Sequence, residues 1–485
     1  MDAQTILRIK PELTRYLHTF DDCFGRVTAR RHVDTYVAGQ LSDLGRKSVE
    51  PMADAAGVPP RTLQQLLSLY RWDEAAMRDR LQQRVARLHG HAQSVGLLDE
   101  TSFVKKGRHT AGVQRQHCGA VGKIENCVVT VHLGYATPDF HTLLDGELYL
   151  PQETWHADRP RCREAGVPEE VVYRPKWQIG LEQIRRARAN GIRLAWMTFD
   201  EGYGGKPPFL RELDALGQDY VGEVPASFTA WTGAPDVLHR EHACHRIGRP
   251  RQVPRLKVKN NPPVAVAHIA AHSPRFRQAP WQTYRVKDGA QGPMLWQAKR
   301  IPVWLSDANG LPGAPHHLLV TRGVTEEPTL KYFLSNAPEQ TPIETLLLVA
   351  FSRWKIERMF EDGKDDLGLD HFEVRKFQAL QRHLILSCVS YLFLAEFHQK
   401  HRGEKPGPHG GPGPHRDGPI DADLVSWGPL LAAVGRVDQP PLASDPTTQR
   451  PGRPQPPQTQ ATSITRVRTV SEGHPHVFLE SKVAL

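Results

Sequence analysis

The chain has 485 residues, of which 39% are hydrophobic, a length at which we expect more than one domain. Its net charge of +9 and pI of about 9.2 favour a polyanionic partner such as nucleic acid. No apolar run reaches the ~18 residues of a membrane span, and Met1–Lys10 lacks an apolar signal core, so we expect a cytoplasmic protein with no membrane partner.

Residues 1–90 carry apolar residues at helical spacing and are predicted to form a helical, DNA-binding domain. The short helix in SVEPMADAAG, a turn and a second helix starting at PPRTLQ are typical of a helix-turn-helix, whose second helix would present Arg61 to a DNA groove. An ordinary helical bundle explains this pattern equally well. In either case the candidate phosphate contacts are Arg30, Arg31, Arg46 and Lys47.

Residues 91–225 predict strands that end in carboxylates. One apolar run ends at Asp99 in LLDET and another at Asp200 in TFDEG, and α/β folds place their chemistry at such strand ends. For either Asp alone, a turn or helix-cap role is the commoner explanation. Between them, VVTVHL, HTLLDGELYLP and a helix closing at Gly191 predict antiparallel strands, a crossover helix and a parallel strand.

Residues 226–325 are too long for a simple connection and predict an inserted, β-rich domain, with β-like runs such as PPVAVAHIAA and HHLLVTR. The segment HREHACHR offers four zinc ligands within seven residues but lacks the spacing of a structural zinc site, so a basic DNA-facing loop is favoured. The tryptophans could stack on an unpaired base, although for any one of them a place in the core of a small β domain is favoured. They are Trp231, Trp281, Trp296 and Trp304.

Residues 326–402 contain FSRWKIERMFEDGK, which places Arg353, Glu357 and Lys364 on one helical face. At about 100° per residue, positions four before and seven after Glu357 lie within roughly 40° of it. A carboxylate between two cations suits a metal ligand whose neighbours hold phosphate oxygens. An apolar helix from Leu380 to Lys400 is expected to follow.

Residues 403–485 are rich in Pro and Gly and are predicted to form a mostly disordered tail. The composition changes abruptly near Glu404. A reading-frame shift and a flexible linker explain this change equally well.

Together these motifs resemble the DDE transposases of bacterial insertion sequences, in the subgroup whose last motif is called YREK. Arg353, Glu357 and Lys364 match that motif, whereas Ala350 stands where its opening Tyr is expected. The strings KKGRHTAGVQRQHCG, KIENC, DGELYLP and GLDHFEVR also look like family phrases. The resemblance covers roughly residues 99–397.

The resemblance implies an α/β fold, namely an RNase H-like mixed sheet with flanking helices, interrupted by the β-rich insertion. It implies that Asp99, Asp200 and Glu357 are catalytic and jointly hold two Mg²⁺ ions, with Mn²⁺ as a substitute. Arg353 and Lys364 would then position the phosphate. The implied partners are double-stranded DNA, as terminal inverted repeats and target DNA, and a second copy of the chain in a nucleoid-associated complex.

Two alternatives to a transposase stay open. One is a catalytically silent or defective DNA-binding relative. The other is an RNase H-like nuclease that cuts DNA without joining it.

Overall fold

The computed structural model describes residues 3–239, 253–289, 292–324 and 329–401. These residues form a mixed α/β fold in which a ten-stranded sheet is flanked by helices and preceded by a helical region, as the sequence predicted. The predicted tail at 403–485 lies outside the described residues, and so does nearly all of the HREHACHR segment. None of the described helices is long and apolar enough to cross a membrane.

Five helices form the N-terminal region, because their apolar residues recur at helical spacing. They are α1 (Ala3–Leu17), α2 (Val27–Gln40), α3 (Val49–Ala55), α4 (Pro60–Ser68) and α5 (Glu74–His89). Helix α4 begins with Pro60, a position whose missing N–H costs no helical hydrogen bond. Gly57, with φ of +65°, makes the turn between α3 and α4. The predicted helices are confirmed, and the order of α3, turn and α4 is that of a helix-turn-helix.

The centre of the sheet has the connectivity that the sequence predicted. Its strands are β1 (Val95–Val104), β2 (Gln114–Cys118), β3 (Lys123–Ala136), β4 (His141–Leu148), β5 (Trp196–Phe199) and β6 (Tyr220–Glu223). Strand β3 pairs antiparallel with β1, β2 and β4, whereas β5 runs parallel to both β1 and β6. The helices of this part are α6 (Arg159–Glu164), α7 (Lys176–Ala189), α8 (Glu201–Gly204) and α9 (Pro207–Ala215). Helix α7 makes the crossover to β5 and ends before Gly191, whose φ is +86°.

Strand β1 does not end at Asp99, which corrects one expectation. Asp99 is the fifth of its ten residues, and the strand continues to Val104. The residues beyond Asp99 include Thr101 and Phe103, which favour extended structure and are buried against neighbouring elements. They keep their pairing with β3, so the carboxylate lies in the middle of a central strand.

The segment that follows β6 extends the same sheet. It contains β7 (Thr229–Ala230), β8 (Val237–Leu238), β9 (Arg255–Leu256), β10 (Val264–Ala265), α10 (Val266–His272), α11 (Pro274–Gln278), β11 (Gln282–Gly289), β12 (Gly292–Ser306), β13 (Pro312–Gly323) and β14 (Leu330–Ser335). Strand β14 pairs antiparallel with β6 and thereby joins the β11–β14 meander to the central strands. The run PPVAVAHIAA is mostly helix α10 rather than strand, consistent with the high helix propensity of its alanines.

Three helices complete the described chain, α12 (Ile343–Phe351), α13 (Trp354–Leu367) and α14 (Phe377–His401). Gly368, with φ of +67°, terminates α13. Helix α14 includes the predicted apolar helix and is buried along most of its length. It packs between strand β4 and the N-terminal helices α2, α4 and α5.

Arg382 of α14 makes buried contacts that connect the N-terminal helical region to α14. Its side chain is 3% exposed and donates to carbonyl oxygens at the C-terminal end of α4 and just beyond it, including those of Leu66 at 3.3 Å and Tyr70 at 2.8 Å. It also pairs with Glu74 at 3.2 Å and lies over the Trp72 ring. A buried guanidinium satisfied in this way holds the end of α4 in a fixed place on α14.

Candidate active site

Two aspartates lie side by side on adjacent parallel strands. Leu98 of β1 is in register with Phe199 of β5, so the next residues, Asp99 and Asp200, follow at the same level. Neighbouring strands are about 4.8 Å apart, which brings the two carboxylates close together. The structure therefore unites the two acidic residues that the sequence separates by a hundred positions.

Asp200 also caps a short helix. Its Oδ1 accepts the backbone N–H groups of Gly202 at 3.0 Å and Tyr203 at 3.3 Å, at the start of α8. The helix-cap explanation weighed for this residue is thus correct. It is compatible with a second role, because these contacts use Oδ1 and leave Oδ2 without a hydrogen-bond partner among the described residues.

Arg353 links Asp99 to Glu357. It stands just before α13, and its guanidinium contacts Asp99 Oδ2 at 3.0 Å and Glu357 Oε1 at 2.7 Å. The predicted shared face of Arg353 and Glu357 is therefore confirmed as an i,i+4 ion pair. The Glu357 side chain is 54% exposed, whereas that of Asp99 is 13% exposed.

Lys364 occupies the same helix two turns further on, about 10 Å along its axis. Its Nζ lies 5.9 Å from the centroid of the Phe103 ring, near the end of β1. Burial lowers the pKa of Lys364. Ala350, at the position of the motif's Tyr, is buried in α12 before the chain turns into α13.

The two aspartates are incompletely compensated by positive charge. Burial and then the charge of Asp200 raise the pKa of Asp99 to about 7, although Arg353 opposes both effects. Burial also raises the pKa of Asp200, with the Glu100 charge acting in the same direction. Adjacent carboxylates that resist ionisation form a region in which an additional cation would be favourable.

The donor chemistry fits a divalent metal ion. Carboxylate oxygens are the ligands that Mg²⁺ prefers, and Asp99 and Asp200 supply them from neighbouring strands. Among the residues that the structure describes, however, no three acidic, His or Cys side chains converge closely enough to form a metal site. The Arg353 guanidinium lies between Glu357 and Asp99 and contacts both. The arrangement therefore offers two candidate metal ligands, Asp99 and Asp200, with a third carboxylate beside them.

Comparison with known proteins places this geometry in a family. The model of the DDE superfamily endonuclease family matches residues 19–293, more than half of the chain. The chain belongs to the DDE endonuclease superfamily. The match includes Asp99 and Asp200 and ends before Glu357, whose assignment therefore rests on the motif and the geometry.

One relative is named "Probable transposase for insertion sequence element IS701", from Microchaete diplosiphon. It is 27% identical to this chain over 209 residues, which make up 42% of this chain and 50% of the relative. The chain thus matches about half the length of that relative.

The sequence did not single out the contacts that hold the Asp200 loop of this DDE endonuclease-family chain. Glu100 accepts the Tyr203 hydroxyl at 2.9 Å and pairs with Lys176 at the start of α7. Tyr203 is 1% exposed, and its backbone N–H also binds Asp200. The signal that could have revealed this cluster is the pair of acids in each of LLDET and TFDEG, followed three residues after Asp200 by a Tyr.

The predicted phosphate contacts have different surroundings. Arg31 and Arg61 are exposed, as a DNA contact requires, whereas Arg30 pairs with Asp21 at 2.5 Å. Arg46 pairs with Glu373 at 2.6 Å. Lys47 is 3% exposed, and its ammonium donates to the carbonyl of Asp366 at the end of α13, so the phosphate-binding role expected for Lys47 does not hold.

The four tryptophans also differ in burial and in their contacts. Trp231 is 5% exposed and donates its indole N–H to the Asn261 carbonyl, so it is a core residue, which is the interpretation favoured from the sequence over base stacking. Its backbone bridges to Trp304, which is half-buried. Trp296 packs against Phe351 with ring centroids 4.6 Å apart. Trp281 is half-buried and lies beside the cationic groups of Lys299 and Arg322.

Proposed function

We propose that this protein is an insertion-sequence transposase, which cleaves DNA at the ends of its element in a metal-dependent reaction and joins the freed ends to target DNA. The observation that carries the proposal is the register of β1 with β5, which sets Asp99 beside Asp200, with Glu357 connected to Asp99 through Arg353. Membership of the DDE endonuclease superfamily and the similarity to a probable transposase support it.

In this proposal Asp99, Asp200 and Glu357 hold divalent ions, Mg²⁺ or in its place Mn²⁺. The ions would supply an activated water or 3′-hydroxyl nucleophile and would stabilise the leaving 3′ oxygen. The protein itself orients the carboxylates. The cap contacts to Gly202 and Tyr203 fix the Asp200 carboxylate, and pairing with β3 together with the contact to Arg353 fixes Asp99.

The cations of α13 would act on the phosphate. Arg353 pairs with two carboxylates and could donate its remaining N–H groups to a phosphate oxygen, because a guanidinium has five donors. Lys364 lies further along β1, where a neighbouring phosphate of the same strand would pass. Arg61 and Arg31 are exposed on the N-terminal helices and would contact DNA at the transposon end.

Two other functions remain as alternatives. A catalytically silent DNA-binding relative would have no need for adjacent buried carboxylates, which are costly to keep ionised, so their retention speaks against it. A nuclease that cuts without joining would use the same site. Only the reaction products distinguish that nuclease from a transposase.

The test uses the DNA that flanks the gene. Inverted repeats found there are placed on a labelled duplex, which is incubated with the protein, Mg²⁺ and a supercoiled target plasmid. A transposase yields the nicked end and a labelled, joined plasmid. Nicking without joining would assign the nuclease alternative, and binding without nicking would assign the silent one.

A matched pair of variants locates the activity. Asp200→Ala should abolish nicking and joining while the protein still binds the end. Glu201→Ala changes the exposed neighbour in the same loop and should leave both reactions near the unmodified rate. Equal loss in both variants would indicate damage to the loop rather than removal of a metal ligand.

A further inference from the structure

The segment of residues 101–124 has an unusual charge. It contains five Lys or Arg residues and two His residues but no Asp or Glu. It comprises the second half of β1, a loop of residues 105–113, the strand β2 and residues 119–124, which lead into β3. We call this loop and β2 together the basic hairpin. A cationic stretch of this length without acids suits contact with a polyanion.

The basic hairpin is fastened to the sheet rather than free to move. The side-chain amide of Asn126 on β3 donates to the carbonyls of Lys105 at 2.6 Å and Gly107 at 2.9 Å. Asn126 is also in register with Arg115 on β2. The tip of the loop and Arg115 therefore lie on either side of one residue, which brings their positive charges together.

The first cation of the basic hairpin, Lys105, makes contacts within the fold, whereas the other Lys and Arg residues of the hairpin are exposed to solvent. Lys105 donates to the carbonyl of Phe372 at 2.7 Å, and its ammonium lies 3.4 Å from the centroid of that ring. Lys106, Arg108 and Arg115 are exposed and form no ion pair within the part of the chain that the structure describes. The nearest acids along the chain on either side have other partners, since Glu100 pairs with Lys176 and Glu125 pairs with Lys123 at 3.8 Å.

These exposed cations continue a row that starts at the candidate active site. Arg353 contacts Asp99, Lys364 lies over Phe103, and the loop begins after Val104. The five steps from Asp99 to Val104 span about 17 Å in an extended strand. At ~3.4 Å per base pair this distance corresponds to about five base pairs of duplex.

We propose that Lys106, Arg108 and Arg115 bind the phosphate backbone of duplex DNA on one side of the cut, from about five base pairs outward. This inference rests on the proposed function, since it takes the cut to lie at Asp99 and Asp200. The contact is electrostatic and independent of base sequence. It holds the DNA along β1 and so keeps the scissile phosphate over the carboxylates.

The experiment compares two double variants of the full chain in DNA binding. Lys106→Ala with Arg108→Ala removes two exposed cations of the hairpin. The control, Arg87→Ala with Arg193→Ala, removes two exposed arginines near the opposite end of β1. Binding to a fluorescent duplex that spans the cleavage site is measured between ~0.05 and 0.3 M salt. Thermal unfolding checks that each variant is folded.

Each lost phosphate contact should lower the affinity about fivefold at ~0.15 M salt and reduce the slope of log K against log salt by about 0.9. The hairpin variant should therefore bind about 25-fold more weakly, with a slope shallower by about 2. The control should match the unmodified protein. Two further duplexes are each shortened on one side of the cut, to about three base pairs on that side. The difference in affinity between the hairpin variant and the unmodified protein should disappear on one of them, the duplex that lacks the contacted side.

Three outcomes would overturn the inference. Unchanged affinity and slope in the hairpin variant, with normal cleavage by the unmodified protein, would overturn it and leave the proposed function intact. A loss confined to duplex RNA of the same length would show that the hairpin serves another partner. No binding or cleavage of the duplex by the unmodified protein would overturn the proposed function as well.

Discussion

Replacing Asp99 with Asn should stabilise the protein while abolishing its activity. Burial and the Asp200 charge raise the pKa of Asp99 from 3.8 to about 7. Between these two pH values the folded state binds more protons than the unfolded state, so stability falls as the pH rises. Above pH 7 the ionised Asp99 carboxylate costs the folded state the full free energy of this pKa shift, and below pH 4 that cost is absent. Asn keeps the shape of the side chain without the charge.

The size of the effect follows from the shift. Three pKa units at about 1.4 kcal/mol each give an upper limit of about 4 kcal/mol for the penalty. Asn also loses the ion pair with Arg353, although its amide oxygen can still accept the N–H of Glu100. We therefore expect Asp99→Asn to gain about 1–3 kcal/mol at pH 8, with the gain shrinking by about 3 kcal/mol at pH 5, so that no gain remains there.

The assay is urea unfolding at pH 5 and pH 8, in EDTA and then in Mg²⁺. Asp145→Asn is the matched control, since Asp145 is a buried strand aspartate that accepts a hydrogen bond from Arg186 at 2.9 Å. Breaking that buried pair should cost about 3 kcal/mol or more. Mg²⁺ should stabilise the unmodified protein and Asp145→Asn but not Asp99→Asn. A destabilised Asp99→Asn at pH 8 in EDTA would refute the reasoning.

Three further predictions concern residues around the carboxylates. Arg353→Ala and Lys364→Ala should each slow cleavage by roughly 10² in single-turnover assays, and wild-type rates in both would show that they are only helix surface. Tyr203→Phe removes the hydroxyl that donates to Glu100 and should raise the Mg²⁺ concentration for half-maximal cleavage several-fold, with little change in the maximal rate. An unchanged Mg²⁺ titration would show that Tyr203 does not help to position the Asp200 loop for metal binding. Arg382→Gln should lower the unfolding free energy by about 3 kcal/mol in urea titrations, and an unchanged midpoint would show that its contacts to α4 contribute little.

Local sequence signals predicted much of the fold and part of the site. Helix α4 could be placed because Pro60 marks a helix start, and the Arg353–Glu357 pair because a spacing of four places both on one helical face. The placement of Asp99 and Asp200 on neighbouring strands also followed from the strand, helix, strand order, whereas their level register became known only from the structure.

Features that depend on distant contacts could not be predicted from the sequence. The pairing of β14 with β6 joins segments more than a hundred residues apart, so composition alone suggested a separate inserted domain. Lys47 looked like a surface cation, but it is buried and its ammonium donates to the Asp366 carbonyl near the end of α13. The predicted end of β1 was wrong because the apolar run stops at Asp99. The strand itself continues to Val104, since its pairing with β3 continues.

The central claim is that Asp99, Asp200 and Glu357 act together on the scissile phosphate. The most direct measurement is Mg²⁺-dependent nicking of a labelled end duplex by the three single Ala variants, with binding of the duplex measured on the same samples. The account predicts that all three lose nicking and keep most of their affinity, because phosphate contacts elsewhere supply the binding. A Glu357→Ala protein that still cuts at the unmodified rate would contradict it.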